Sequence, residues 1–285
     1  MTTRPRLLLA TDLDGTLLRP DGTVGPTMRA ALRAARDDDI EVVFVTGRPA
    51  LFLPPVLAET GHQGTVLGAN GAVTFDAAER RVTALRAFAN ESVLEIVQAL
   101  ERVPGAADVR VMLHLPDQPD HPGIRLWGDF RTVTTDTAQK LDAGWVCIKI
   151  AAGGAAPHTS ESFAAQSLST IVEECGPATT VAELTWSMST PALVELSPPG
   201  VHKGSALVGY AQSQDVAPAD IHAVGDMPND LPMLAAAGRA YAVGNAHPAV
   251  LAAAHEHLPS NEHDAVAVLI SQLLAQPRAS ETSPG

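Results

Sequence analysis

Apolar residues along this chain fall into short runs broken by turn formers, and the runs set the expected elements. Leu7-Leu8-Leu9-Ala10 is continuous rather than alternating, the pattern of a strand buried on both faces of a parallel sheet. Pro26 to Arg36 carries Met28, Ala31, Leu32 and Ala35 at helical spacing with arginines between them. Ile40 to Val45 is a β-rich run, and Leu51 to Leu57 returns to helical spacing. Thr65 to Leu67 is a short strand that leads through Gly68-Ala69-Asn70-Gly71-Ala72 into Val73-Thr74-Phe75. Such a βαβαβ opening predicts a mostly parallel sheet with helices on both faces.

The middle of the chain changes character. Glu91 to Leu100 is amphipathic, with Val93, Leu94, Val97 and Leu100 on one face, and Val109 to Leu115 alternates as a strand does. Pro116 to Gly123 reads as a loop, Trp145 to Ile150 as a strand, Ala151 to Ser160 as flexible, and Phe163 to Cys175 as a helix. Val181 to Leu196 holds two strands separated by Ser187 to Pro191. The closing part predicts helices over Lys203 to Gln212, Leu231 to Ala237, Pro248 to Ala254 and Asp264 to Leu274, with strands at Ile221 to Val224 and Ala240 to Val243. The expected architecture is α/β: a doubly wound, mostly parallel Rossmann-like core from residues 1–82 and 198–275, interrupted by an α+β domain at 83–197. An insert of roughly 110 residues exceeds any ordinary loop, so it should fold as its own domain. The small, polar, proline-bearing segment 276–285 is expected to be a flexible tail.

Composition narrows the partners. With 19 Lys+Arg against 32 Asp+Glu, the net charge is −13 and the pI near 5.1, which argues against nucleic acid or an anionic membrane as the main partner. A phosphate-bearing substrate would therefore need local positive charge. Cys147 and Cys175 form no disulfide framework, which suits a reduced, cytoplasmic interior. Leu7–Ala10 is too short for a signal-peptide core and runs straight into acids, and no apolar run approaches the roughly 18 residues of a membrane span.

The chemistry concentrates where the apolar runs stop. Leu7–Ala10 leads to Asp12 and Asp14, then Gly15 and Thr16. In an extended chain, residues i and i+2 face the same side, so Asp12 and Asp14 are placed to share a site while Leu13 faces away. Carboxylates at the C-terminal end of a buried strand stand where open α/β sheets place ligands. A bound cation relieves their repulsion most simply, and oxygen ligands suit Mg²⁺. Each further stretch has a plain structural explanation when taken alone. Thr46-Gly47 and Gly225-Asp226 are turns, Lys203 is a surface lysine, Asn229-Asp230 caps a helix, and Asn70-Gly71 makes a hairpin turn. Asp37-Asp38-Asp39 reads as a solvated helix end. The histidines at 255, 257 and 263 lack zinc-ligand spacing, and of those at 114, 121 and 158 only His114 and His158 are candidates to line a pocket.

Taken jointly and in order, Asp12-Leu-Asp14-Gly-Thr16, Thr46-Gly47-Arg48, Lys203 and Gly225-Asp226-x-x-Asn229-Asp230 resemble the haloacid dehalogenase-like (HAD) phosphatases. Ala69–Ala72 and Gly244-Asn245-Ala246 are similar to the Cof-type branch, whose α/β cap is inserted late in the core. The likeness covers the core from both ends, and the middle matches in size and α+β character only. It implies a Mg²⁺-dependent phosphatase acting on small phosphorylated metabolites, sugar phosphates foremost, through an aspartyl-phosphate intermediate. By that resemblance Asp12 is the nucleophile and Asp14 the general acid and base. Asp12, the Asp14 carbonyl and Asp226 hold the metal, with Asn229 and Asp230 close by, orienting its ligands or binding it through water. Thr46 and Lys203 are catalytic groups that also bind the substrate, with Gly47 and Asn229 as further contacts, and Arg48 either reaches the substrate or cap or ties down its own loop. The alternatives are a phosphomutase on the same core and a non-catalytic phosphate-binding module.

Overall fold

The structure is a computed structural model that describes residues 7–104, 106–114, 124–127, 133–154, 182–187 and 192–276. The expected loop at 116–123, the helix at 163–175, the histidines at 121 and 158, Cys175 and the tail from 277 lie outside the described residues.

The strands are β1 (Leu7–Thr11), β2 (Ile40–Val45), β3 (Thr65–Gly68), β4 (Val73–Asp76), β5 (Arg81–Leu85), β6 (Ala106–His114), β7 (Ile124–Trp127), β8 (Val146–Gly154), β9 (Ala182–Ser187), β10 (Ala192–Ser197), β11 (Ile221–Gly225), β12 (Arg239–Ala242) and β13 (Glu256–His257). Eight of them form one sheet in the order β13-β12-β11-β1-β2-β3-β4-β5. Its parallel pairings run β13–β12–β11–β1–β2, and β4 and β5 form an antiparallel pair at the other edge. β1 has a parallel neighbour on each side, and Leu8, Leu9 and Ala10 are buried, which is why its sequence is apolar without alternation. Thr11 lies opposite Phe44 on one side and Val224 on the other, so β1, β2 and β11 end level with one another. The strand order turns back between β1 and β11, and ligands of open α/β sheets sit outside the strand ends at such a reversal.

The helix Pro26–Asp37 buries Met28, Ala31, Leu32 and Ala35, the face its spacing predicts, and starts with Pro26 in the first turn. Asp37 and Asp39 are exposed, and Asp39 takes the left-handed φ of 58° that ends the helix before β2. No helix among the described residues is long and apolar enough to cross a membrane.

The chain divides into two compact units, one of residues 1–46, 54–66 and 203–285, the other of residues 47–53 and 67–202. The second unit contains an antiparallel sheet of five strands in the order β7-β6-β8-β10-β9. The helix Asn90–Glu101 buries Val93, Ile96, Val97 and Leu100 in one cluster with Val109, Val111 and Leu113 of β6 and Cys147, Ile150 and Ala152 of β8. Ile96 takes a core place that the spacing had given to Leu94, which is half-buried. β8 also runs on to Gly154, so residues 151–154 are strand and not the flexible start of a loop, because both β6 and β10 pair with them. Burial pushes the Cys147 thiol up to about 12, which keeps it inert.

One strand of the first unit carries an acid-sensitive neighbour. The His62 ring stacks on Phe44 of β2 with centroids 3.8 Å apart, and burial pushes its pKa down to about 4. A folded pKa below the unfolded value means the unfolded chain takes up the proton first. Stability from the neutral ring is therefore present above about 6.5 and is lost as the pH falls toward 4. His62→Phe should lose less stability than the parent between pH 7 and pH 5, by about 1–2 kcal/mol after discounting for the half-buried site, read from urea unfolding at the two pH values.

Candidate active site

The strand β1 stops at Thr11, where the Asp12 amide still donates to the Val224 carbonyl at 3.1 Å. Beyond it the chain coils into a turn, and the Leu13 carbonyl accepts from the amides of Thr16, Leu17 and Leu18 at 3.3, 3.0 and 2.8 Å. The alternation expected of an extended chain therefore does not carry through residues 12–14. Asp12 is buried, Asp14 is exposed, and Asp14 stands outside the buried acid cluster. Gly15 has φ +81°, and a Cβ there would come within 2.3 Å of Asp226 Oδ2, so only glycine fits. Thr16 is buried and its hydroxyl donates to Asp226 Oδ1 at 2.8 Å, joining the end of β1 to the end of β11.

Lys203 opens the helix Lys203–Ser213 and is only 1% exposed. Its Nζ lies 2.8 Å from Asp12 Oδ1 and 2.6 Å from Asp230 Oδ1. A lysine taken alone is most often a surface residue, but Lys203 is a buried cation between two acids. Burial alone would lower the Lys203 pKa, but the charges of Asp12 and Asp230 outweigh it and keep the ammonium protonated. Asp12 is held well above the ordinary carboxylate value by burial, opposed by Lys203 and reinforced by the charges of Asp230 and Asp226. Burial followed by the Asp230 charge lifts Asp226 to about 6.

Carboxylate oxygens of Asp12, Asp226 and Asp230 all lie within 4.8 Å of one another. Three buried acids facing one ammonium leave an excess of negative charge away from water, and a hard cation with oxygen ligands fits that deficit. Asp230 is less suited to ligate it. Its Oδ1 is taken by Lys203, and its Oδ2 accepts from the amides of Asp226 and Met227 at 2.9 and 3.0 Å. Asp230 therefore holds Lys203 and the Asp226 backbone in place, and it caps the turn Pro228–Asp230, not the following helix. Among the described residues this is the one such cluster of potential metal ligands, and no histidine belongs to it.

The remaining expected residues sort by unit. Thr46 is buried directly after β2, at the same sheet edge as Asp12, and Asn229 is half-buried beside Asp230. In the second unit, the Gly47 carbonyl accepts from the buried Lys149 ammonium at 2.8 Å, and the Arg48 carbonyl accepts from the Ala69 amide at 2.9 Å. Lys149 is also ion-paired with Glu195, which accepts from Asn70 Nδ2 at 3.3 Å. Asn70 makes the turn after β3 with a left-handed φ of 55°, which agrees with a structural role. His114 is buried on β6, where burial lowers its pKa. Sequence reasoning did not single out Thr16 as a partner of Asp226, nor Lys149 and Glu195.

Comparison with known proteins finds relatives of this chain. The family model of haloacid dehalogenase-like hydrolases matches residues 9–118 and 134–270. The chain is similar to an HMP-PP phosphatase of Cronobacter sakazakii, at 28% identity over 94% of this chain and 96% of that protein. It is similar at 27% identity to a pyridoxal phosphate phosphatase of Escherichia coli, over 95% of this chain and 98% of that one. Among solved structures, a HAD subclass IIB sugar phosphatase superposes with a TM-score of 0.70 at 18% identity, covering 94% of this chain and 98% of that one, a likeness of fold.

Proposed function

The chain belongs to the haloacid dehalogenase-like hydrolases, and from that premise we propose that it is a Mg²⁺-dependent phosphatase of small phosphorylated metabolites. The observation that carries this reading is the buried pair Asp12 and Lys203, 2.8 Å apart, with Asp226 beside them at the reversal point of the sheet. The Asp12 carboxylate attacks phosphorus, forming the aspartyl phosphate as the bond to the leaving oxygen breaks. Asp14 gives its proton to that oxygen, then takes one from the water that hydrolyses the intermediate. Its exposed position at the turn suits exchange with a departing group. Lys203, held by Asp230, places positive charge against the transferring phosphoryl group. The Thr46 hydroxyl and, next in the chain, the Gly47 amide bind its oxygens, with Arg48 and Asn229 as further substrate contacts. Asp12, Asp226 and the Asp14 carbonyl would hold Mg²⁺, which supplies charge neutralisation for the phosphate when bound. The cap at 83–197 is assigned the choice of leaving group. Sugar phosphates are the first class to test, beside pyridoxal phosphate and HMP-PP, which the relatives' names carry.

Phosphate release from p-nitrophenyl phosphate, measured with Mg²⁺ and with chelator, tests the reading. Full turnover in chelator would exclude the metal role, and binding without release would favour a phosphate-binding module. The same ion should raise the melting temperature by several degrees at saturating concentration, through mass action on the folded state. Asp226→Asn should abolish that rise, since it removes one of the two carboxylates best placed to ligate.

A further inference from the structure

Resting on the Mg²⁺ assignment within the phosphatase reading, we infer that Thr16 is a positioning residue that confines Asp226 to ligation through a single oxygen and so sets a preference for Mg²⁺ over Ca²⁺. Thr16 is fully buried, and its amide donates to the Leu13 carbonyl at 3.3 Å, so the turn fixes where its hydroxyl stands. That hydroxyl donates to Asp226 Oδ1 at 2.8 Å. The other oxygen is confined by shape. A Cβ on Gly15 would lie 2.3 Å from Asp226 Oδ2, so the bare Gly15 Cα packs directly against it. This wall is itself held, since Asn245 Nδ2 donates to the Gly15 carbonyl at 2.7 Å. The Asp226 backbone is tied as well. Its amide donates to Asp230 Oδ2 at 2.9 Å, and its carbonyl accepts from the His247 amide at 2.7 Å.

These contacts stop the carboxylate from turning about its Cβ–Cγ bond. Asp226 also bonds the Asp12 carboxyl, the other acid assigned to the ion, and that bond is the one a cation replaces. Chelation through both oxygens would make Oδ1 give up or share the Thr16 hydrogen bond, and bonds to an ionised acceptor are the strong ones. Mg²⁺ loses little by this, because it takes single oxygens in a near-octahedral shell. Ca²⁺ loses more, since it is larger, takes about six to eight oxygens and draws on two-oxygen carboxylates to reach that number. Asp12 repeats the arrangement, with Oδ1 engaged by Lys203, and both Asp230 oxygens are engaged too. The discrimination thus rests on how many oxygens the acids can release. Thr16 is the uncharged group whose loss changes that number at Asp226 while every charge stays in place.

The experiment titrates Mg²⁺ alone and Ca²⁺ alone into the substrate-free protein by isothermal titration calorimetry. The parent, Thr16→Val, Thr16→Ser and Asp226→Asn are compared, with melting temperatures alongside. Thr16→Val exchanges the hydroxyl for a methyl group of similar size, and Thr16→Ser keeps the donor. The parent is expected to bind Mg²⁺ more tightly than Ca²⁺. In Thr16→Val the ratio of the two dissociation constants should move about 10-fold toward Ca²⁺, within the range that partners of metal ligands supply. Thr16→Ser should keep the parent ratio. Loosened packing weakens both ions alike and leaves the ratio in place. A parent that binds Ca²⁺ at least as tightly as Mg²⁺, a ratio unmoved in Thr16→Val, or one shifted equally in Thr16→Ser overturns the inference. The first of these needs no variant to fold. Phosphate release that still requires Mg²⁺ in the parent then leaves the phosphatase reading standing. A parent that takes up neither ion, or an Asp226→Asn protein that binds both as the parent does, removes the metal assignment beneath it.

Discussion

Asp12→Asn is expected to remove Mg²⁺-dependent phosphate release, with a loss on the order of 10⁴-fold or more, because no other group replaces an attacking carboxylate. The substitution is nearly isosteric, and the asparagine oxygen still accepts from Lys203, which lies 2.8 Å from the Asp12 oxygen. Burial already holds the Asp12 carboxyl well above its usual range, so the neutral amide should fold at least as stably as the parent. Loss of turnover with the melting temperature kept or raised is the expected pair of readings. Residual activity above a tenth of the parent would remove Asp12 from the role of nucleophile.

Lys203→Met should act on folding as strongly as on activity. Lys203 is 1% exposed and bonded to two carboxylates, one of them, Asp230, 0% exposed. Removing the cation leaves those buried acids without a counter-charge, and breaking a buried pair in this way costs about 3–5 kcal/mol. The amine also supplies charge to the phosphoryl group, so turnover should fall with it. Urea unfolding without divalent ion gives the stability loss directly. Saturating Mg²⁺ should recover part of that stability, since it answers the same excess of negative charge, while activity stays low. A loss below 1 kcal/mol would mean that Asp12 and Asp230 are satisfied by other means.

The site's parts were legible where local pattern and chemistry coincide. Leu7–Ala10 ends in acids and the structure places it at the centre of the sheet, and the face of the helix Pro26–Asp37 is the one its spacing marks. The four separated motifs implied a site, and Asp12, Lys203 and Asp226 do come together. What was hidden depends on contacts across long stretches of chain. Nothing near position 16 announces a bond to Asp226, and nothing near 245 points back to Gly15. Asp230, expected beside the metal as an orienter of its ligands or a ligand through water, also braces Lys203, because its oxygens are divided between that amine and two amides, and no local pattern announces that. The pairing of Asp12 and Asp14 failed as strand geometry because the strand ends at Thr11, before the first of the two acids. Periodicity marks a strand's faces better than its end.

The position of β1 between β2 and β11 also bears on how the protein is made. Its first neighbour is synthesised about 30 residues later, but the second arrives only with residues 221–225. At ribosomal speeds the nascent chain carries Leu7-Leu8-Leu9 with one flank unpaired for roughly 10–40 s. A bare apolar edge of that kind is a template for pairing with other chains. The arrangement that gathers the reactive groups therefore leaves the emerging polypeptide with an unpaired apolar flank until residues 221–225 have left the ribosome.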